Sequence, residues 1–239
     1  MTNSQSSSLR IRLALEAFVI VGSILLAFGV DALWERRQDS GRIAEYLDAL
    51  ETEFVEARDE ITGQETQHTE QLAAIDNLLI TFDSGVRSDS IQSWLSYLNG
   101  IFVYGPAHPV FTDLANSGSI DLLESTELRL ALLAYGQAKD FLAVSSDREL
   151  QGWQGELRPY LFERIDALPI MMEIGMMSDG MMPAGLTPRF DSGIEDLYAD
   201  RKFQNLLLTR RLQVVSQLNL DARVADGVAR VLDEIGKAH

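Results

Sequence analysis

Three histidines, His68, His108 and His239, and a cluster of methionines are the residues whose types could do chemistry on their own. Glu65-Thr-Gln-His68 has the Glu-x-x-His spacing that sets a carboxylate and an imidazole on one helix face, as in carboxylate-bridged di-iron bundles. Such a site needs a second copy of the motif and two further glutamates from neighbouring helices. Neither His108, which follows Gly105-Pro106-Ala107, nor the terminal His239 completes the set. His68 is therefore read as a polar interruption of a helical seam. No catalytic, metal-binding or cofactor-binding residue is assigned, and no cofactor is expected.

Met171-Met172, Met176-Met177 and Met181-Met182 form three doublets, and the seventh methionine is Met1. Thioethers are soft ligands that suit Cu(I). Methionine is also the adaptable filler of apolar surfaces and partner grooves. The preferred reading is an apolar docking loop, with an extracytoplasmic ligand- or copper-handling module as the alternative. The sequence contains no Gly-x-Ser-x-Gly, His-Glu-x-x-His, Ser-x-x-Lys, phosphate loop or Gly-x-Gly-x-x-Gly. Carboxylate pairs are frequent on the first helix, but a regular solvated face produces them routinely. An enzyme is not expected.

The elements that would position these residues are helical. From Ile43 the apolar positions fall at 43, 47, 50, 54, 57 and 61, the 4-3-4-3-4 seam of a coiled-coil-like helix. The pattern weakens over Thr62–Gln71 and returns at Leu72, Ile75, Leu79 and Phe82. This predicts one long helix to about Phe82, with a possible bend near Gly63 and an end at Asp83-Ser84-Gly85. Ser90–Phe102 predicts a shorter helix, closed by Gly105-Pro106 and Pro109. Thr112–Ser117 predicts a turn of helix before Gly118. A third long helix begins near Ser125, a suitable N-cap, with Leu128, Leu132, Tyr135, Ala138 and Leu142 on one face. That stripe resumes at Leu150, Trp153, Leu157, Tyr160 or Leu161, and Ile165, where Pro159 predicts a kink or break. Residues 169–193, with three prolines and four glycines, predict an irregular connection. A last helix from about Asp200 aligns Phe203, Leu207, Val214, Leu218, Ala225, Val228, Leu232 and Ile235.

Ahead of these elements, Leu13–Trp34 is an apolar run bounded by Arg10 and Arg12 on one side and Glu35, Arg36 and Arg37 on the other. As a helix its 22 residues span about 33 Å, the thickness of a bilayer's hydrocarbon core. Glu16 and Asp31 fall near the ends, and Trp34 suits an interfacial belt. The core from Ala17 to Val30 also fits a cleavable signal peptide. Helical patterning that continues through Ala32, Leu33 and Trp34 favours the anchor. A buried soluble helix would have to hide every face of this run. Arg36, Arg37 and Arg42 follow the span while two arginines precede it, so basic-residue counting does not fix the orientation. The 12-residue tail favours a domain outside the cytoplasm.

The net charge of −16 argues against nucleic acid, whose binding requires a basic face. Residues 31–80 carry thirteen acidic residues against four arginines, whereas residues 200–239 carry seven basic against five acidic ones. The two segments would complement each other if packed, although exposed pairs contribute only about 0–1 kcal/mol each. Cysteine is absent, which excludes disulfides and thiolate metal sites.

"EAFVIVGSILLAFGVDALWERR" with "YLDALETEF", then "PAHPVFTDLANSGSIDLLESTELRLALLAY", then "DRKFQNLLLTRR" resemble, in order, blocks of an uncharacterised family of bacterial single-pass membrane proteins. Together they cover about a third of the chain. The family is known as a domain of unknown function, so the resemblance implies an anchor and a helical domain, and no site residues transfer. The Met doublets belong to no family pattern.

The expectation is an all-α protein: tail 1–12, transmembrane anchor 13–34, and an antiparallel bundle of about four helices over 35–239 with the Met-rich connection at 169–193. The anchor helix continues into the bundle's first helix. The expected partners are the lipid bilayer and a second copy or another membrane protein. The expected location is the inner membrane, with the bulk of the chain extracytoplasmic.

Overall fold

The computed structural model describes residues 4–98, 104–173, 183 and 185–238, and before Gly41 only the side chains of Ser23, Leu26, Phe28, Val30 and Trp34. Among the described residues the protein is all-helical. Its first helix, α1, runs unbroken over Ser4–Ser84, through Gly63. It ends at Gly85, whose φ of +66° is the left-handed C-terminal stop that glycine adopts without strain. Among the described residues no helix is long and apolar enough to cross a membrane. The predicted anchor, 13–34, lies largely outside them at the level of side chains.

After α1 come α2 (Ile91–Tyr97) and α3 (Pro109–Ser117), then a short 3-10 turn over Ser119–Leu122. The predicted extension of α2 to Phe102 falls on residues 99–103, which lie outside the described residues. The helix α4 (Thr126–Gly152) starts where predicted, with the Ser125 side chain accepting from the Leu128 N–H. The expected kink or break at Pro159 is corrected: the backbone stays helical through it, and the proline is accommodated by a distortion of the turns before it. A π-helical turn over Trp153–Leu157 leads into α5 (Arg158–Arg164), whose first turn holds the proline, where its missing N–H is harmless. The connection predicted as irregular from 169 is corrected at its start: α6 (Ala167–Glu173) is helical, with Pro169 again in a first turn. A four-residue turn, α7 (Ile194–Leu197), precedes α8 (Arg201–Ala238). Asp200 caps α8, its side chain accepting from the Phe203 N–H at 3.0 Å.

The bundle is built on three long helices, α1, α4 and α8, with α2 and α3 flanking α1. Contacts between residues 64 and 221, and between 71 and 210, set α8 antiparallel to α1. Contacts of Arg210 with Glu149 and of Gly227 with Tyr135 set α8 antiparallel to α4 as well. Buried positions on α1 fall at 47, 50, 54, 57, 61, 64, 68, 71, 75, 78 and 82, an uninterrupted 3-4 alternation, with Glu53 and Ala74 buried beside that line. Those on α8 fall at 203, 207, 210, 214, 217, 221, 224, 228, 231 and 235, the same alternation. The predicted α8 stripe is corrected in its middle. Leu218, Ala225 and Leu232 are only half-buried, and the buried line passes through Arg210, Gln217, Asp221, Val224 and Val231.

Candidate functional site

The apolar core is split in two. One half packs Leu50, Phe54, Ile61, Leu128, Leu132, Tyr135, Val224 and Val228. The other packs Ile75, Leu78, Leu95, Trp153, Leu161, Phe203, Leu207 and Val214. Between them lies a buried polar layer made of Gln64, His68 and Gln71 from α1, Glu149 from α4, and Arg210, Gln217 and Asp221 from α8. Each sits on a core position of its helix, so backbone geometry, with no help from hydropathy, directs all of them inward.

Asp221 anchors the layer. Its Oδ1 accepts from Gln64 Nε2 at 2.9 Å, and its Oδ2 lies 2.6 Å from His68 Nδ1. A carboxylate can only accept, so the Nδ1–H tautomer of His68 is the one this contact selects. Gln71 bridges three elements: its Nε2 donates to the Tyr97 carbonyl at the end of α2 (2.6 Å), and its Oε1 accepts from Arg210 Nη2 (3.3 Å). Arg210 Nη1 meets Glu149 Oε1 at 2.6 Å, with both side chains 1% exposed. Burial pulls the Arg210 guanidinium below its ordinary pKa, and the Glu149 carboxylate opposes that pull. The layer thus ties α1, α2, α4 and α8 together at one level.

This arrangement suits positioning of helices better than turnover. His68 and Asp221 are both fully buried. The small cleft that reaches Arg210, between Gly152, Trp153, Leu206 and Gln213, holds about 20 Å³, room for one water.

A second polar group sits nearer the start of the bundle. His108 Nε2 lies 2.6 Å from the Tyr135 hydroxyl, and Tyr104 Oη lies 3.0 Å from the same hydroxyl. Phe54 stacks on the His108 ring at 5.4 Å. Burial, with Lys139 nearby, lowers the His108 pKa to about 4, and burial pushes Tyr104 up to about 12 and Tyr135 higher still. With the imidazole neutral and the phenols protonated, His108, Tyr135 and Tyr104 form one hydrogen-bonded chain whose direction follows the tautomer of His108. Glu53 reaches across from α1 to cap α3, accepting from Val110 N (2.7 Å) and Phe111 N (3.1 Å). These groups fasten α3 onto α1 and α4.

The predicted site features separate in the structure. Glu65 is exposed and His68 is buried against Asp221, so the Glu-x-x-His pair does not converge on one ligand position. His108 belongs to the other polar group. Among the described residues no group of three or more His, Cys, Asp or Glu could hold a metal ion. Of the Met doublets, Met171 is buried and Met172 is 43% exposed, while 176–177 and 181–182 lie outside the described residues. Sequence reading missed Glu149, Arg210, Gln217 and Asp221. The signal for the last three was the spacing of α8 itself, counted through polar positions. Comparison with protein-family models, curated proteins and solved structures gives no match to this chain.

Proposed function

We propose that this protein is a membrane-anchored, non-enzymatic helical domain that works by protein contact, as an accessory, assembly or structural subunit of a membrane complex. The observation that carries this reading is on α1. Leu26, Phe28, Val30 and Trp34 are 56–71% exposed on a helix that continues into the bundle without a break. Large apolar side chains left uncovered over such a run call for lipid. The resemblance to single-pass membrane proteins supports the same reading.

A continuous α1 makes the anchor a stiff stalk. From Trp34 to His68 a helix rises about 51 Å, and to Phe82 about 72 Å. In this reading the end of the bundle lined by Ile43, Leu123, Ser125 and Ala238 faces the bilayer, and α6 and α7 point away from it. The domain lies outside the cytoplasm.

The absence of cysteine makes the test direct. Ser4→Cys and Ser216→Cys variants are probed in intact cells with an impermeant maleimide. The expected result is labelling of Ser216→Cys before lysis and of Ser4→Cys only after it. The reverse pattern overturns the orientation, and release of the protein by alkaline carbonate overturns the anchor.

A further inference from the structure

Among the described residues, nothing covers the outer face of α4. Leu130, Leu133, Phe141 and Val144 are 60%, 52%, 67% and 50% exposed. With Ala134 and Gln137, also exposed, they form a stripe that follows the 3-4 alternation over about 21 Å of helix. The uncovered apolar area is roughly 400 Å², comparable to the largest apolar patch of a typical monomer, which is often functional. The face opposite carries Leu128, Leu132, Tyr135 and Leu142 into the core. So α4 is apolar on two sides, and among the described residues only one is covered.

We infer that this stripe is the contact by which two copies of the chain pair, α4 against α4. The inference rests on the anchored reading, because the area alone is small. Two such stripes face to face remove about 800 Å² in total, short of the roughly 1,200 Å² at which specific complexes become stable. Confinement of both copies to one bilayer raises their effective concentration and makes up the difference. The tether also fixes the geometry. Two chains anchored in one membrane are related by an axis along its normal, and α4 starts at the membrane-facing end beside Ile43 and Ala238. The two α4 helices then run parallel, and each residue meets its own twin: Leu130 on Leu130, Phe141 on Phe141, Val144 on Val144. Gln137 falls on the axis. Its amide both donates and accepts, so it is complementary to itself in a way a single charge is not. A polar residue at one seam position fixes register in parallel helix pairs.

The test uses the full-length chain in native membranes. Gln137→Cys gives one thiol on the proposed axis, and Ser216→Cys gives one on the exposed side of α8. After mild oxidation, Gln137→Cys should form disulfide-linked dimer about tenfold or more above Ser216→Cys. Adding Phe141→Glu, or Leu130→Glu, should reduce it to the Ser216→Cys level, with helicity by circular dichroism unchanged because both side chains are exposed. Equal cross-linking at the two positions, a cross-link to a protein of different mass, or insensitivity to both substitutions overturns the pairing. Retention in the carbonate-washed pellet without dimer overturns the pairing alone. Release from the pellet overturns the pairing together with the anchored reading.

Discussion

Replacing Arg210 by Met removes a guanidinium that is 1% exposed and leaves the Glu149 carboxylate in the same dry layer without its ion partner. The stem volume is largely kept, so the loss is electrostatic. Breaking a buried pair from one side costs about 3–5 kcal/mol, because the remaining charge keeps its desolvation penalty. Gln71 loses a donor to its Oε1 as well, which adds about 1 kcal/mol. Glu149→Leu strands the arginine and should cost a similar amount. The double variant should recover most of the loss, and replacing such pairs by apolar groups is neutral or stabilising by about 1–4 kcal/mol. The assay is urea unfolding of the full-length chain in mild detergent, followed by circular dichroism, for the wild type, both single variants and the double variant. The cycle gives the coupling directly. Single substitutions costing under about 1 kcal/mol, or a double variant no more stable than either single one, would refute a buried and mutually dependent pair.

The lowered His108 pKa makes stability pH-dependent: the unfolded chain binds the proton more readily, so the contribution is fully present above about pH 6.5 and is lost as pH falls toward 4. The ceiling is about 3 kcal/mol, read as a steeper loss of urea midpoint from pH 7 to 4.5 in the wild type than in His108→Gln. Gly193→Ala should destabilise by about 2 kcal/mol or more in thermal melts, because a Cβ there would lie 2.0 Å from the Arg164 carbonyl at a φ of +67°. Gly85→Ala, at nearly the same φ but with open space around it, should cost only about 1 kcal/mol. Replacing Gln64, His68, Gln71, Glu149, Arg210, Gln217 and Asp221 together by Leu or Met should let α1 and α8 slip by a heptad. Cysteines at 76 and 211, where the charged ends of Asp76 and Arg211 meet at 2.6 Å, would be bridged by a short bismaleimide in the wild-type background and poorly in the layer-free one.

Helix positions were legible because capping and proline chemistry act locally. Ser125, Asp200, Gly85 and Pro159 each act within a turn of their own position. The early seam of α1 was legible for the same reason, since Leu47, Leu50, Phe54, Ala57 and Ile61 are all apolar. The reading of α8 failed where geometry and hydropathy part. Leu218 is apolar but falls one position off the seam, and Gln217 is polar but falls on it. Helical periodicity decides which residue points inward, and burial then requires only that a polar one find a partner. Those partners are 157, 153 and 139 positions away in sequence. No local pattern around His68 carries that information, and the weakened stretch Thr62–Gln71 looks like a loss of helix–helix contact when it is a change in its chemistry.

That change has a structural consequence. Two antiparallel seams with the same alternation and apolar residues throughout fit together equally well after a shift of seven residues, about 10 Å along the axis. The polar layer removes the degeneracy. A one-heptad slip of α8 along α1 sets Asp221 against Ala57 and Ile61 in one direction and against Gln71 and Ile75 in the other, and takes it from Gln64 and His68 and Arg210 from Gln71, leaving buried polar groups without their partners. Each such group costs several kcal/mol, more than the apolar overlap lost or gained at the ends. The layer therefore stabilises the native pairing little, if at all, relative to an apolar core, and acts by raising the energy of its alternatives. In the anchored reading proposed above, where α1 is also the stalk and α4 packs on α8, register between α1 and α8 sets how far the outer face of α4 stands from the start of that stalk. Under the proposed pairing, that height is what two copies must share for their α4 stripes to meet.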